Sequence, residues 1–186
     1  MISFRNASHD DIPALIALVT AAYRGDASRQ GWTTEAHLLD GQRIDAQMLR
    51  TDLETPGSVI LLATDRGDED RPRLVACANI ATQTSNDGIP TAYFGMFSVD
   101  PDLQGGGIGK LVLEEAERIA HDTLGCARIR MTVIDSREEL IAYYERRGYV
   151  RTGIKKPFPY GDPRYGLPKR DDLQFEVLEK TLERQP

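Results

Sequence analysis

Hydrophobic positions along the 186-residue chain change their period repeatedly, and each change marks an element. Residues 2–5 read as a first strand. Ser8 can cap a helix over 10–24, with acids in its first turn and Ile12, Leu15, Ile16, Val19 and Ala22 along one side. A polar loop follows over 25–32. Thr33, Thr34 and Glu35 open a short helical piece that Gly41 breaks, and 44–53 carries another. Pro56-Gly57 turns the chain into an apolar strand at 59–64. A charged turn at 66–73 leads to a long strand at 74–84. Asn86-Asp87-Gly88 is a hairpin signal, joining that strand to the aromatic and β-branched run 91–99, which stops at Asp100-Pro101. Apolar residues then recur at 108, 111, 112, 116, 119, 120 and 124 with charges between them, a helix period that Gly125 ends. A strand is expected at 127–134. Ser136 with Glu139 forms a capping box for a helix that stops at Gly148, and 149–152 starts another strand. The stretch 155–170, with four prolines, three aromatics and two glycines, reads as a loop, and 173–182 as a closing strand.

Between the strand at 91–99 and its following helix stands Gln104-Gly105-Gly106-Gly107-Ile108-Gly109-Lys110. Consecutive glycines supply no packing and cost backbone entropy, so they belong where φ turns positive or where backbone must approach a ligand. The free N–H groups of a first helical turn and the positive end of its dipole favour phosphate there. The spacing excludes two familiar phosphate loops. Gly105 stands four positions before Gly109 and Leu111 follows Lys110, which breaks the Walker pattern, and no Gly-x-Gly-x-x-Gly register closes on a third glycine. What fits is Gln-x-x-Gly-x-Gly at Gln104, Gly107 and Gly109. Following a strand that ends Val-Asp-Pro, it resembles the pyrophosphate loop of the GNAT superfamily of acyl-CoA-dependent N-acetyltransferases. Some 40 residues later, Tyr143-Tyr144-Glu145-Arg146-Arg147-Gly148-Tyr149 is similar to that family's Leu-Tyr-Glu-Lys-x-Gly-Phe segment, with Tyr144 on its tyrosine and Gly148 on its glycine. Two core aromatics on an amphipathic helix would produce the second stretch alone. Both motifs in the family's order point to the family. The resemblance implies an α/β (α+β) fold over 1–186 as a single domain, with one mixed, strongly twisted central sheet flanked by helices.

Composition narrows the partners. Apolar content is 40% and no apolar run approaches the ~20 residues of a membrane span. The first residues carry neither the basic segment nor the apolar stretch of a signal peptide, so a soluble, cytoplasmic protein is expected. The net charge of −6, without a basic run, argues against nucleic-acid binding, which rests on neutralising phosphates. Cys77 and Cys126 stand far apart without Cys or His at metal spacing, and the three histidines are scattered, so no metal site is read.

What the resemblance implies about chemistry is an attack of a primary amine on the acetyl-CoA thioester, through a tetrahedral intermediate, releasing CoA. Acetyl-CoA is then a cosubstrate, its pyrophosphate on the amides of Gly105, Gly106, Gly107, Ile108, Gly109 and Lys110, with Gln104 adding an amide bond. Its pantetheine would pair with the strand at Phe97, Ser98 and Val99, where the backbone at Ser98 would also meet the oxyanion. Tyr144 is the implied general acid for the leaving thiolate. No carboxylate lies in 91–99, which leaves Glu35, Asp135 or waters as the route for the amine proton. Arg137 stands where relatives often carry Asn. Tyr23, Trp32, Glu35, Phe158, Tyr160 and Tyr165 are candidates to shape the acceptor pocket. A small amine or a peptide end is the expected substrate, and a homodimer is left open. Glu35 and Asp162 would suit an ammonium, whereas Arg24, Arg29, Arg43, Lys155 and Lys156 would suit the carboxylate of an amino acid. The rival reading is a non-catalytic acetyl-CoA sensor or interaction module on the same fold.

Overall fold

The computed structural model describes residues 1–67 and 72–183. The centre of the charged turn expected at 66–73 lies outside the described residues. Seven strands form one sheet in the order β1-β3-β4-β5-β6-β9-β7, and two short strands, β2 and β8, form a second. Their ranges are β1 Ile2–Asn6, β2 Leu39–Asp40, β3 Ser58–Asp65, β4 Arg73–Gln83, β5 Thr91–Val99, β6 Arg128–Ile134, β7 Val150–Pro157, β8 Leu167–Pro168 and β9 Gln174–Thr181. The helices are α1 Ile12–Tyr23, α2 Gly25–Ser28, α3 Ala46–Glu54, α4 Ile108–Arg118 and α5 Glu138–Glu145. Among the described residues only the β5–β6 pair in the large sheet is parallel. Among the described residues no helix is long and apolar enough to cross a membrane.

Strand alternation feeds two cores. Ile60 and Leu62 pack with α1 and α3 through Leu15, Val19 and Leu49. Their neighbours Leu61 and Ala63 face the other way, into a core shared with Val112, Leu113 and Ala116 of α4 and, further along the sheet, Ile141 and Tyr144 of α5. A one-residue slip would exchange these faces, so burial on both sides fixes the register.

Four expectations are corrected. The segment expected to be helical from Thr33 to Gly41 is a turn followed by β2, because Leu39 and Asp40 pair with Pro168 and Leu167. The loop expected over 155–170 begins as strand, since Lys155, Lys156 and Pro157 pair with Glu176, Phe175 and Gln174. The polar loop at 25–32 contains the short α2. The capping box at Ser136 does not form: α5 begins at Glu138 after Arg137, whose N–H goes to the carbonyl of Ile134.

Candidate active site

The parallel pairing of β5 with β6 covers only Thr91–Tyr93 against Arg128–Arg130. Beyond Tyr93 the two strands part, and among the described residues the edge of β5 towards β6 has no strand partner. In the same stretch β5 bulges against β4, where the pairing jumps from Asn79–Gly95 to Cys77–Ser98. Met96 takes a φ of 52°, a left-handed conformation that costs a non-glycine residue free energy. Two side chains hold it there. The Sγ of Cys77 and the Oγ of Ser98 both donate to the Met96 carbonyl, at 3.7 and 3.2 Å. The next carbonyl, of Phe97, accepts from the hydroxyl of Tyr23 at the end of α1. Burial pushes that phenol up to about 12, so it remains a donor.

Two cavities meet at this bulge. An outer cleft of about 260 Å³ is lined by Trp32, Gln104, Gly105, Gly107, Gly109 and Lys110, with Tyr143 and Arg147 of the α5 region opposite. An inner cavity of about 220 Å³ is lined by Tyr23, Arg24, Glu35, Arg43, Arg137 and Tyr144, among others. Phe97 and Leu140 line both. Tyr144 is 4% exposed, and burial, then its neighbours Tyr23 and Tyr143, push its phenol well above the ordinary value.

The outer cleft suits a pyrophosphate. Among the described residues the N–H groups of Gly105, Gly107, Ile108 and Gly109 make no hydrogen bond to the protein, while Lys110 and Leu111 already bond the Gly107 carbonyl. Gly105 and Gly107 adopt φ of 86° and 85°, which turns the chain into α4. At Gly109 a Cβ would meet the Tyr143 hydroxyl at 3.0 Å and Phe97 at 3.2 Å, so backbone there lies close against the cleft wall. Gln104 is spent elsewhere. Its Oε1 accepts from the Trp32 N–H at 3.0 Å, and its Nε2 donates to Thr33 Oγ1 and the Val99 carbonyl at 2.8 and 3.1 Å. It ties the front segment to the loop and leaves the phosphate amides to the glycines. Gly31 is needed for this, because a Cβ there would stand 2.7 Å from Gln104 Oε1.

Charge in the inner cavity is arranged around Glu35. Its carboxylate accepts from Arg24 Nη1 at 2.5 Å and from Arg137 Nη1 at 3.1 Å, and Arg137 Nη2 also donates to the Thr33 carbonyl at 2.6 Å. Burial alone would push the Glu35 carboxyl up, but Arg43, Arg137 and Arg24 together hold it below the usual range. Arg43 lies over the Tyr23 ring, 5.3 Å from its centroid.

Several expected site residues fall elsewhere. Ser98, whose backbone was expected at the oxyanion, is not among the residues lining either cavity, and its Oγ supports the bulge, while Phe97 lines both. Asp135 binds Lys155 at 2.9 Å, away from the inner cavity. Tyr23, Glu35, Phe158 and Tyr165 do line that cavity, but Trp32 lines the outer cleft. The Tyr160 hydroxyl is engaged by Arg170 and Leu173. Arg147, whose guanidinium lies 3.5 Å from the Tyr143 ring centroid, was missed. So was the part played by Arg137. The only sequence signal for it was an arginine where relatives often carry Asn.

The sequence model of the acetyltransferase (GNAT) family matches residues 19–149, a span holding both cavities' central residues. A curated relative, the S-(2-succino)cysteine N-acetyltransferase of Bacillus subtilis (strain 168), is 40% identical over 67 residues, which are 36% of this chain and 39% of that protein. Among solved structures, the ribosomal-protein-alanine N-acetyltransferase of Brucella melitensis superposes with a TM-score of 0.69 at 19% identity, covering 97% of this chain and 99% of that one. A chain of the NatC complex bound to Gag peptide and CoA gives 0.68 at 15% identity, covering 98% and 99%. At these identities the structural likeness is one of fold.

Proposed function

The chain belongs to the acetyltransferase (GNAT) family, a family of acyltransferases, and on that premise we propose that it transfers an acetyl group from acetyl-CoA to a primary amine by direct attack. One observation carries this reading. The cleft with unpaired glycine amides and the cavity holding Tyr144 open onto the same residue, Phe97, where β5 has left β6. A thioester reaching in from one side and an amine from the other would meet there.

Each residue's part follows from its placement. The amides of Gly105, Gly107, Ile108 and Gly109 hold the pyrophosphate, with Lys110 and Arg147 supplying positive charge along the cleft. The bare edge of β5 from Phe94 to Val99 offers its backbone to the pantetheine amides and to the developing oxyanion. The amine lone pair attacks the carbonyl carbon, and the carbonyl π pair moves onto oxygen. Collapse restores the carbonyl and breaks the C–S bond. The sulfur takes the Tyr144 proton, and the proton shed by nitrogen returns through solvent to the phenolate. Amine and acetyl-CoA give N-acetylamine and CoA, with no acetyl-enzyme. Burial keeps Tyr144 protonated until this point, and the same low dielectric raises the proton affinity of the nascent thiolate. Glu35, ion-paired from two sides, acts as a strut for Arg24 and Arg137. The curated relative's named substrate is a cysteine derivative, which supports a small-molecule acceptor.

Tyr144→Phe tests the assignment of the acid. The ring and its packing stay, so acetyl-CoA affinity by calorimetry should hold while kcat falls by roughly 10²–10⁴, the range for one positioned acid. Tyr143→Phe should cost little, since its hydroxyl faces Gly109 in the outer cleft. A costly Tyr143→Phe beside a mild Tyr144→Phe would transfer the role to Tyr143.

A further inference from the structure

Three guanidinium groups line the inner cavity against one carboxylate, so its wall carries two uncompensated positive charges inside a chain whose net charge is −6. The one carboxylate, Glu35, is already shared by Arg24 and Arg137. What remains is donor capacity without acceptors. Arg24 is 5% exposed, and its Nε and Nη2 are buried without a hydrogen-bond partner. Arg43 makes no hydrogen bond or close ion pair among the described residues; it lies over the Tyr23 ring and acts on Glu35 through charge alone. Those Arg24 atoms are closed off from the cavity, Nη2 lying against Gly166, so the donors an entering anion can reach are those of Arg43, which is only half-buried on the cavity wall.

We infer that the acceptor amine carries a carboxylate, which makes free α-amino acids the substrate class. This rests on the acetyl-transfer reading of the same cavity and narrows it. The planar fork of a guanidinium matches a carboxylate bidentately, and Arg43 stands on the cavity wall with no hydrogen-bonded carboxylate of its own, while Arg24 and Arg137 add positive charge behind it. Tyr93, Phe94, Phe158 and Phe175 supply the apolar wall against which a side chain would rest. A volume of about 220 Å³ suits a small molecule. The arginines also act on the nucleophile. Like charge disfavours an ammonium, so the bound amine is biased towards the neutral form that attacks, which lessens the need for a carboxylate base in β5. By the same argument a polyamine, with several ammonium groups and no anion, is rejected. Asp162, offered with Glu35 as a group for an ammonium, caps its own turn and binds Arg164 at 2.5 Å, and Glu35 is taken up by Arg24 and Arg137.

The test uses the full chain, acetyl-CoA and matched pairs of amines: phenylalanine, methionine and leucine, each against the amine left when its α-carboxylate is removed, together with spermidine. Thiol release and the mass of the N-acetyl product are followed for each. The expected result is acetylation of at least one amino acid with kcat/KM at least 100-fold above that of its decarboxylated partner. Arg43→Gln should then raise KM for that amino acid by about 10–100-fold, as loss of a charged hydrogen bond does, and leave acetyl-CoA affinity intact. Arg43→Lys should recover part of the loss. Equal or better turnover of the decarboxylated amines or of spermidine overturns the inference and leaves acetyl transfer standing. So does a KM for the amino acid that Arg43→Gln does not change. Binding of acetyl-CoA with no thiol release from any member overturns the acetyl-transfer reading, and the inference with it.

Discussion

Glu35 is gripped by Arg24 and Arg137 with a side chain about one-tenth exposed, and this fixes what it can do chemically. A carboxyl whose affinity for a proton is held down by surrounding guanidiniums is ionised at neutral pH and reluctant to accept the proton of an ammonium. Its larger contribution is to stability. Removing one partner of a buried ion pair costs about 3–5 kcal/mol, because the other charge is left uncompensated. Glu35→Gln should therefore lose stability of that order in urea denaturation at pH 7. The pH dependence has a definite sign. Since the folded carboxyl is held below the unfolded value near ~4.3, its stabilisation is complete above that value and is lost as pH falls through the folded one. The variant should lack this contribution to acid unfolding. Unchanged stability, with the acidic limb of kcat/KM removed, would instead make Glu35 the base.

At the scale of elements, the glycine loop and β5 divide the work of placing the thioester, and the two depend on different features. The loop depends on left-handed backbone. Gly107→Val would strain the N-terminus of α4 by about 1–2 kcal/mol and set a branched side chain beside the free amides. CoA affinity should fall by roughly 100-fold, the worth of two charge-assisted hydrogen bonds, while far-UV circular dichroism keeps the native form. Unchanged affinity by calorimetry would remove the loop from the pyrophosphate site. These elements were legible in the sequence because their signals are local. Residues 91–99 alternate as a strand and are one, and Gly105 and Gly107 carry the positive φ their spacing implied. Features set by distant partners were not. Leu39 and Asp40 become a strand only because Pro168 and Leu167 arrive beside them. The Ser136 box yields because Arg137 is drawn to Glu35 and Thr33 from more than a hundred positions away. Gln104 reads as a phosphate ligand until Trp32 and Thr33 claim its amide.

For the whole molecule, the sheet brings an outer cleft and an inner cavity to one bulge, and the arginine-rich wall shows why sequence alone could not name the acceptor. Arg24, Arg43 and Arg137 come from the end of α1, the approach to α3 and the start of α5, three places with no motif in common. Only the fold assembles them. The overall charge is −6 while the cavity lining carries three arginines against one glutamate, so the global charge does not report the local one. The central claim is that both substrates are present together at Phe97 and that the acetyl group passes directly between them. Initial rates of thiol release, with acetyl-CoA and an accepted amine varied independently, test it most directly. Direct attack predicts reciprocal plots that intersect, as a ternary complex requires. Parallel plots would mean an acetyl-enzyme that discharges CoA before the amine binds, and would contradict the account.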